Sequence, residues 1–484
     1  MSKKLKIAFI HPDLGIGGAE RLVVDAALGL LKRGHKVDIY TSHHDPSHCF
    51  EETRDGTLNV HALKPPLPRS IRGKFHILFA HLRQLHLTAH LLLKEPTYDV
   101  YFVDQLSTCI PFLRAFGGYR VVFYCHFPDK LLANGEFVEG DLRKKKVSLV
   151  KALYRLPMDW LEEVTTRQAD VLLANSKFTA RVFQTYFKSI NRTPTVVYPG
   201  INLEAYNAKV DKTDPNIVAV TSSHPTLLSL NRFEKKKNAA LAIQAFAILR
   251  SQLSKPEFKN LRLVLAGGYD PRLEDNMLTL YSLIDLAKSH SLSYNVITPS
   301  SDSPVKIPPL NMTPDDPNVL FLLNFTTSQR TALLRSPSTR ALLYTPANEH
   351  FGIGPVEAMS CGVPVLACDT GGPTESILDP GSSTTSRNER TGWLRPPQPE
   401  VWATALLEIL SLKEHERRNL AVKAKGRAST LFGMEAMAVG LEKGLLEAVA
   451  MGEVKLVKDI WVIMIFVVLL SCMLGPSMTD VLLS

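Results

Sequence analysis

Two glutamates, Glu349 and Glu357, stand eight positions apart around the stretch HFGIGPVEAMSCGVPVLACDTGGP, residues 350–373. Pro355 suits the first position of a helix, which makes Gly354 the expected N-cap and Glu357 the third helical residue. A capping-box role is open to Glu357 there. Cys361, Gly362 and Pro364 end that helix. The amides of Phe351, Gly352, Ile353 and Gly354 then gather at a helix N-terminus, where aligned peptide dipoles favour an anion. Glu349 comes just before, at the end of the expected strand RALLYTP. Paired carboxylates also serve retaining glycosidases, at a separation of about 5 Å. A pair straddling a phosphate-type helix start fits a nucleotide sugar better. One glutamate meets the sugar, the other the ribose hydroxyls, and the amides meet the diphosphate.

Further groups could join such a site. In LNRFEKKKN, Arg232 and Lys237 lie five apart where a strand enters a helix. A planar guanidinium and a point-charge ammonium can together clamp a diphosphate, although a solvated charged loop has the same composition. In FYCHFPD, His126 ends an expected strand. A lone histidine there serves packing as readily as chemistry, and faces a ligand only if two domains close over it. In GIGGAE, Gly17 and Gly18 precede a helix, but Glu20 stands where a dinucleotide fingerprint needs its third glycine. That turn offers amides to a phosphate, or is a plain βα turn.

The elements that must position these groups alternate. KIAFIHP, a helix from Ala19 to Lys32 stopped near Gly34, and KVDIYTS form a βαβ unit. YDVYFVDQ, YRVVFYCH and ADVLLANS extend the same parallel sheet. After TVVYPGINLEAY the alternation restarts with PTLLSLNRF, LRLVLAGG, NVLFLLN, RALLYTP and VPVLACDT. Two doubly wound α/β domains are expected, with ligands at the carboxyl ends of the strands. The Ser-, Pro- and Asp-rich residues 291–317 are expected to be a surface insertion.

Two basic amphipathic stretches stand out. FHILFAHLRQLHLTAHLLLK puts Leu78, Leu82, Leu85, Ala89 and Leu92 on one helical face, as a sheet-covering helix does. DLRKKKVSLVKALYRLPMDWLEE sets Arg143, Lys144, Lys145, Lys146, Lys151 and Arg155 beside Leu149, Val150, Leu153 and Trp160. It suits a membrane-surface helix as well as a sheet-covering one. The uncharged run 460–474 is shorter than the roughly 20 residues a spanning helix needs. Lys455 and Lys458 precede it and no Lys or Arg follows, which puts the body on the cytosolic side if it inserts. A net charge of +9 favours acidic partners such as phosphates and anionic lipid. The six cysteines form no C-x-x-C, which points to free thiols in a reducing compartment.

These stretches together resemble glycosyltransferase family 4, with its GT-B fold. The carriers are the Glu349–Glu357 spacing with Arg232 and Lys237, and GIGGAERLVVDAA, FYCHFPDKLL, RFEKKKN, LAGGYDPRLEDN and YTPANEHFGIGPVEAMSCGVPVLA. Within that family the chain is most similar to the mannosyltransferases of asparagine-linked glycosylation, over about residues 4–451. The resemblance implies a GT-B fold, two Rossmann-like doubly wound domains facing a cleft, with a C-terminal hydrophobic membrane segment. Residues 1–205 form the acceptor and membrane-docking domain, 206–430 the donor domain, 431–453 a helical segment crossing back to the first domain, and 454–484 a membrane-associated tail.

It also implies roles. Arg232 and Lys237 neutralise the leaving diphosphate with amides near Phe351, Gly352 and Ile353. Glu357 holds the ribose, Glu349 and His126 contact the mannose, and Gly17 and Gly18 lie near a diphosphate. GDP-mannose and a dolichol-diphosphate-linked oligosaccharide are the implied substrates, at the cytosolic face of the endoplasmic reticulum membrane. Other glycosyltransferases of the pathway are implied partners, and nucleic acid is not. No metal or other cofactor is required; the one Asp-Asp pair, Asp315 and Asp316, lies in the insertion. Two alternatives stay open: a related transferase adding N-acetylglucosamine to phosphatidylinositol, and a membrane scaffold that kept the fold without the chemistry.

Overall fold

The computed structural model describes residues 3–71, 75–132, 149–207, 209–298, 317–380 and 389–455, with only backbone over 149–153. The chain divides into two units, residues 1–200 with 434–484, and residues 201–433.

The first unit holds β1 (Lys6–His11), β2 (Lys36–Thr41), β3 (Asn59–Ala62), β4 (Val100–Asp104), β5 (Val121–Cys125), β6 (Val171–Ala174) and β7 (Thr195–Val196). They form one sheet in the order β3-β2-β1-β4-β5-β6-β7, parallel throughout. The second unit holds β8 (Thr226–Leu230), β9 (Arg262–Gly267), β10 (Tyr294–Ile297), β11 (Val319–Leu323), β12 (Thr339–Tyr344), β13 (Val365–Cys368) and β14 (Trp393–Arg395). Its order, β10-β11-β9-β8-β12-β13-β14, is parallel too. Central strands such as β4 and β9 are buried along their whole length, as parallel strands covered by helices on both faces must be. In each sheet the winding reverses direction beside the first strand, between β1 and β4 and between β8 and β12. In open sheets of this kind ligands bind at the carboxyl ends of the strands beside that reversal.

The helix Met434–Ala450 returns to the first unit and packs on the helix Gly18–Lys32. Gly29 makes that approach possible, since a Cβ there would sit 2.8 Å from Ala438 Cβ. Buried Glu442 accepts from Arg33 Nε at 2.8 Å and lies 3.0 Å from His35 Nε2, tying the returning helix to the loop after the first.

Several expectations need correction. The helix His76–Lys94 buries Leu78, Phe79, Leu82, Leu87 and Leu91, with His81, Gln84 and Thr88 bonded within that face. Ala89 is exposed, so the apolar face is rotated from the one read in sequence. In the helix Leu149–Thr166, Arg155 is buried and paired with Asp129 at 3.2 Å and Asp159 at 2.6 Å. It is therefore not available to a membrane surface. Arg143, Lys144, Lys145 and Lys146 lie outside the described residues, and of Lys151 only the backbone is described. The expected insertion begins as structure: Leu292 and Tyr294 are buried and Tyr294–Ile297 is a sheet-edge strand. Residues 299–316 lie outside the described residues, as does the apolar run 460–474. Among the described residues no helix is long and apolar enough to cross a membrane.

Candidate active site

In the second unit the expected donor residues come from the ends of adjacent strands. Lys237 closes a single 3-10 turn after β8 and Glu349 follows β12. Lys237 Nζ lies 2.5 Å from Glu349 Oε2. The lysine carbonyl accepts from Thr345 Oγ1 at 2.7 Å, which ties the two strand-end loops together. Burial pushes the Glu349 carboxyl up, but Lys237 outweighs it, with His350 and Lys236 adding to the effect, and holds it below the usual carboxylate range. Arg232 is more than half exposed, and its ion-pair partner among the described residues is Glu234 at 3.6 Å. The two cations thus share a loop, but only Lys237 is engaged by the site's carboxylate.

The loop carrying Glu349 is gripped from behind. Gly372 N–H donates to the Glu349 carbonyl at 2.7 Å, and Asn348 N–H to Thr370 Oγ1 at 3.0 Å. A Cβ on Gly372 would fall 2.2 Å from Phe351 Cα, and Gly371 has φ +73°. The Gly-Gly turn after β13 is therefore the wall on which the loop carrying Glu349 rests. The Phe351 ring is buried against Phe432, with centroids 5.6 Å apart, so only its backbone remains to face a ligand.

The helix over this loop runs Ile353–Cys361 with Gly352, at φ +85°, as its N-cap. This corrects the expected cap at Gly354. Tyr344 explains the earlier start: its ring packs 3.0 Å from where a Gly352 Cβ would be and 3.2 Å from that of Gly354. Glu357 consequently falls beyond the first turn and cannot close a capping box. It bonds instead to Arg330 Nη1 at 3.0 Å and to the Tyr206 hydroxyl. Neither partner carried a local signal, since Arg330 is one of two arginines in its helix and Tyr206 lies near the inter-domain junction.

In the first unit, Asp104 at the end of β4 stands between two histidines. His11 Nδ1, at the end of β1, is 2.8 Å from Asp104 Oδ1, and His126 Nε2, just past β5, is 2.9 Å from Oδ2. Burial opposes the charge on Asp104, but His11 and then His126 overcome it and bring the carboxyl down to about 2. Burial likewise pushes His11 down, yet Asp104 raises it on balance. Sequence reading found His126 and missed its buried partners. Gly17 and Gly18 form the N-cap and first residue of the helix Gly18–Lys32. The Glu20 carboxylate lies beside the Cβ position of Gly17, nothing lies within 4 Å of that of Gly18, and no side chain caps the helix start. The structure brings Lys237 to Glu349, and Glu357 to Arg330 and Tyr206; Gly17, Gly18 and His126 belong to the other unit.

Among the described residues no cluster of histidine, cysteine, aspartate and glutamate has the arrangement of a metal site. The five described cysteines are free.

Comparison with known proteins shows the family and the fold. The family model described as Glycosyltransferase Family 4 matches residues 16–205, and that described as Glycosyl transferases group 1 matches 210–310 and 316–427. The chain is 46% identical over 450 residues to the alpha-1,3/1,6-mannosyltransferase of Rhizomucor pusillus, covering 92% of each chain. It is 42% identical to the alpha-1,3/1,6-mannosyltransferase of Saccharomyces cerevisiae, covering 91% of this chain and 84% of that one. Among solved structures, the sucrose-phosphate synthase of Thermosynechococcus elongatus shares the fold with a TM-score of 0.67 at 18% identity, covering 93% of this chain and all of that one. The Anabaena HepE protein in complex with UDP-glucose does so with a TM-score of 0.59 at 18% identity, covering 91% and 99%.

Proposed function

Because the chain belongs to the alpha-1,3/1,6-mannosyltransferase family of glycosyltransferases, we propose that it moves mannose from GDP-mannose to a monomannosyl chitobiosyl diphosphodolichol. The first linkage is α1,3 and the second α1,6, both with retention, in assembly of the N-glycan precursor. The reaction takes place at the cytosolic face of the endoplasmic reticulum membrane. The observation that carries the reading is the meeting of Lys237 and Glu349 at the carboxyl ends of β8 and β12, beside the helix start at Ile353.

As the glycosidic bond breaks, negative charge grows on the departing diphosphate. Lys237 and Arg232 supply positive charge there, and the first amides of the helix Ile353–Cys361 add the positive end of its dipole. Lys237 must loosen from Glu349 as it takes the phosphate, which releases the Glu349 carboxylate to the mannose hydroxyls. Glu357 holds the ribose and His126 contacts the sugar. Gly17 and Gly18 lie near a diphosphate. With two cations performing this charge neutralisation, the reaction needs no divalent metal, and turnover in EDTA tests that point.

The deciding experiment offers the detergent-solubilised enzyme radiolabelled GDP-mannose, UDP-N-acetylglucosamine and UDP-glucose, each with the lipid-linked acceptor or with phosphatidylinositol. Two successive mannose additions, from GDP-mannose to the dolichol acceptor alone, are expected. Transfer of N-acetylglucosamine to phosphatidylinositol, or no transfer with any pair, overturns the reading.

A further inference from the structure

Glu357 is held in an asymmetric way. Arg330 Nη1 donates to its Oε1 at 3.0 Å, and the Tyr206 hydroxyl donates to the same oxygen. Among the described residues nothing donates to Oε2. The three groups come from three separate elements. Tyr206 is on the 3-10 turn Leu203–Asn207, Arg330 on the helix Thr327–Arg335, and Glu357 on the helix Ile353–Cys361. The guanidinium lies over the tyrosine ring, its carbon 5.2 Å from the centroid, so each donor also fixes the other. Tyr206 is buried, whereas the Glu357 side chain keeps 13% of its surface exposed.

A carboxylate at the end of a glutamate turns freely, because its last torsion is broad and two-fold. Two donors converging on one oxygen remove that freedom. They also use the acceptor capacity of Oε1, whose lone pairs are two. The other oxygen keeps its capacity and has a fixed direction. A vicinal diol presents two hydroxyl donors close together, and a fixed, otherwise unbonded carboxylate oxygen is the acceptor such a pair selects.

We infer that Arg330 and Tyr206 are positioning residues that commit Glu357 Oε1 to the protein and present Oε2 to the ribose diol of the donor. The inference rests on the reading of Glu357 as the ribose ligand. It assigns the enzyme's preference for a ribonucleotide to a three-residue unit, of which only the glutamate touches the substrate.

The test measures the affinities of GDP and 2′,3′-dideoxy-GDP by calorimetry on the full-length chain in detergent. It compares the wild type with Tyr206→Phe, Arg330→Met, Arg330→Lys and Glu357→Gln. Wild type is expected to prefer GDP by about tenfold or more, the worth of hydrogen bonds to a charged acceptor. Tyr206→Phe and Arg330→Met should each reduce that preference to about threefold or less while leaving dideoxy-GDP affinity unchanged; Arg330→Lys should restore part of it. The dideoxy nucleotide is the internal check on folding, since a damaged site loses both ligands together. Equal weakening of GDP and dideoxy-GDP, or an undiminished preference in both variants, overturns the positioning role while leaving the ribose reading standing. A change in the ratio of GDP to GMP affinity in Arg330→Met, with the dideoxy ratio intact, overturns it as well, because Arg330 is then a phosphate ligand. Absence of any preference in wild type fails the ribose reading itself, and the inference with it.

Discussion

Lys237 Nζ meets Glu349 Oε2 at 2.5 Å across the ends of two neighbouring strands. The cation proposed for the leaving group and the carboxylate proposed for the sugar neutralise each other directly. Lys237→Met should expose the cost of keeping that carboxylate half-buried. In the wild type the Glu349 carboxyl is depressed, so it contributes stability above its unfolded value that is lost as pH falls through its folded one. In the variant burial is opposed only by the weaker His350 and Lys236, so the carboxyl rises relative to the wild type, costs stability at neutral pH and recovers it on protonation. The variant should be about 1–2 kcal/mol less stable at pH 7. The melting-temperature gap should close as pH falls towards 4. A gap independent of pH contradicts the pairing.

The turn after β13 offers a purely steric prediction. Gly372→Ala places a methyl group against the Phe351 backbone and strains the bond to the Glu349 carbonyl. Turnover should fall at least tenfold, with a stability cost of about 1–3 kcal/mol. Gly426→Ala is the control, because nothing lies within 4 Å of its added carbon. Helix propensity alone should make it slightly stabilising, by up to about 1 kcal/mol, with turnover unchanged. Rates and melting curves for the two variants decide the matter.

Asp104→Asn should have a pH signature in the first unit. The depressed Asp104 gives stability above about pH 4 that is lost as pH falls through its folded value of about 2. The raised His11 gives stability below its unfolded value, about 6.5, that is lost as pH rises through its folded one. Both contributions are therefore complete only between about pH 4 and 6.5. The substitution should cost about 3 kcal/mol in that window and less at pH 9. Denaturant titrations at pH 5.5 and 9 provide the comparison; a larger loss at pH 9 refutes it.

Membrane association is expected to have two components. Deleting residues 454–484 should leave turnover in detergent and weaken flotation with liposomes. Adding Lys144→Glu, Lys145→Glu and Lys146→Glu should remove the salt-sensitive remainder, each charge contributing about 1 kcal/mol near an anionic surface. Arg155 is left out of that set because it is committed to Asp129 and Asp159. Full flotation of the combined variant at high salt contradicts this scheme.

The ten inner strands were legible from apolar runs such as VYFV and LVLA. The four that were not, β3, β7, β10 and β14, are the sheet edges. Each has two to four residues, and most carry partly exposed positions, so no continuous run marks them. Lys237, Glu349, Glu357 and His126 were legible because chemistry restricts which residues can end a strand beside a turn. Their supports were not. Asp104 is one of two acids in YDVYFVD, with nothing local to set it apart, and Arg330 and Tyr206 reach Glu357 from 27 and 151 positions away in sequence. The helix start was misjudged because Pro355 suggested a first position, whereas the fit of Tyr344 beneath two glycines set it two residues earlier.

The returning helix Met434–Ala450 sets an order of events during synthesis. Its Met437, Leu441, Leu445 and Ala448 complete a core whose other members, from Leu5 to Val197, are made first. At about 5–20 residues per second, the ribosome leaves that core open for roughly 10–50 s while residues 201–433 emerge. The inserted unit is one uninterrupted segment and can close by itself in that interval. The first unit must wait, with the apolar side of Gly18–Lys32 and the face of β6 uncovered. A chaperone that holds apolar surface on the nascent chain should therefore occupy the N-terminal segment until translation is nearly finished.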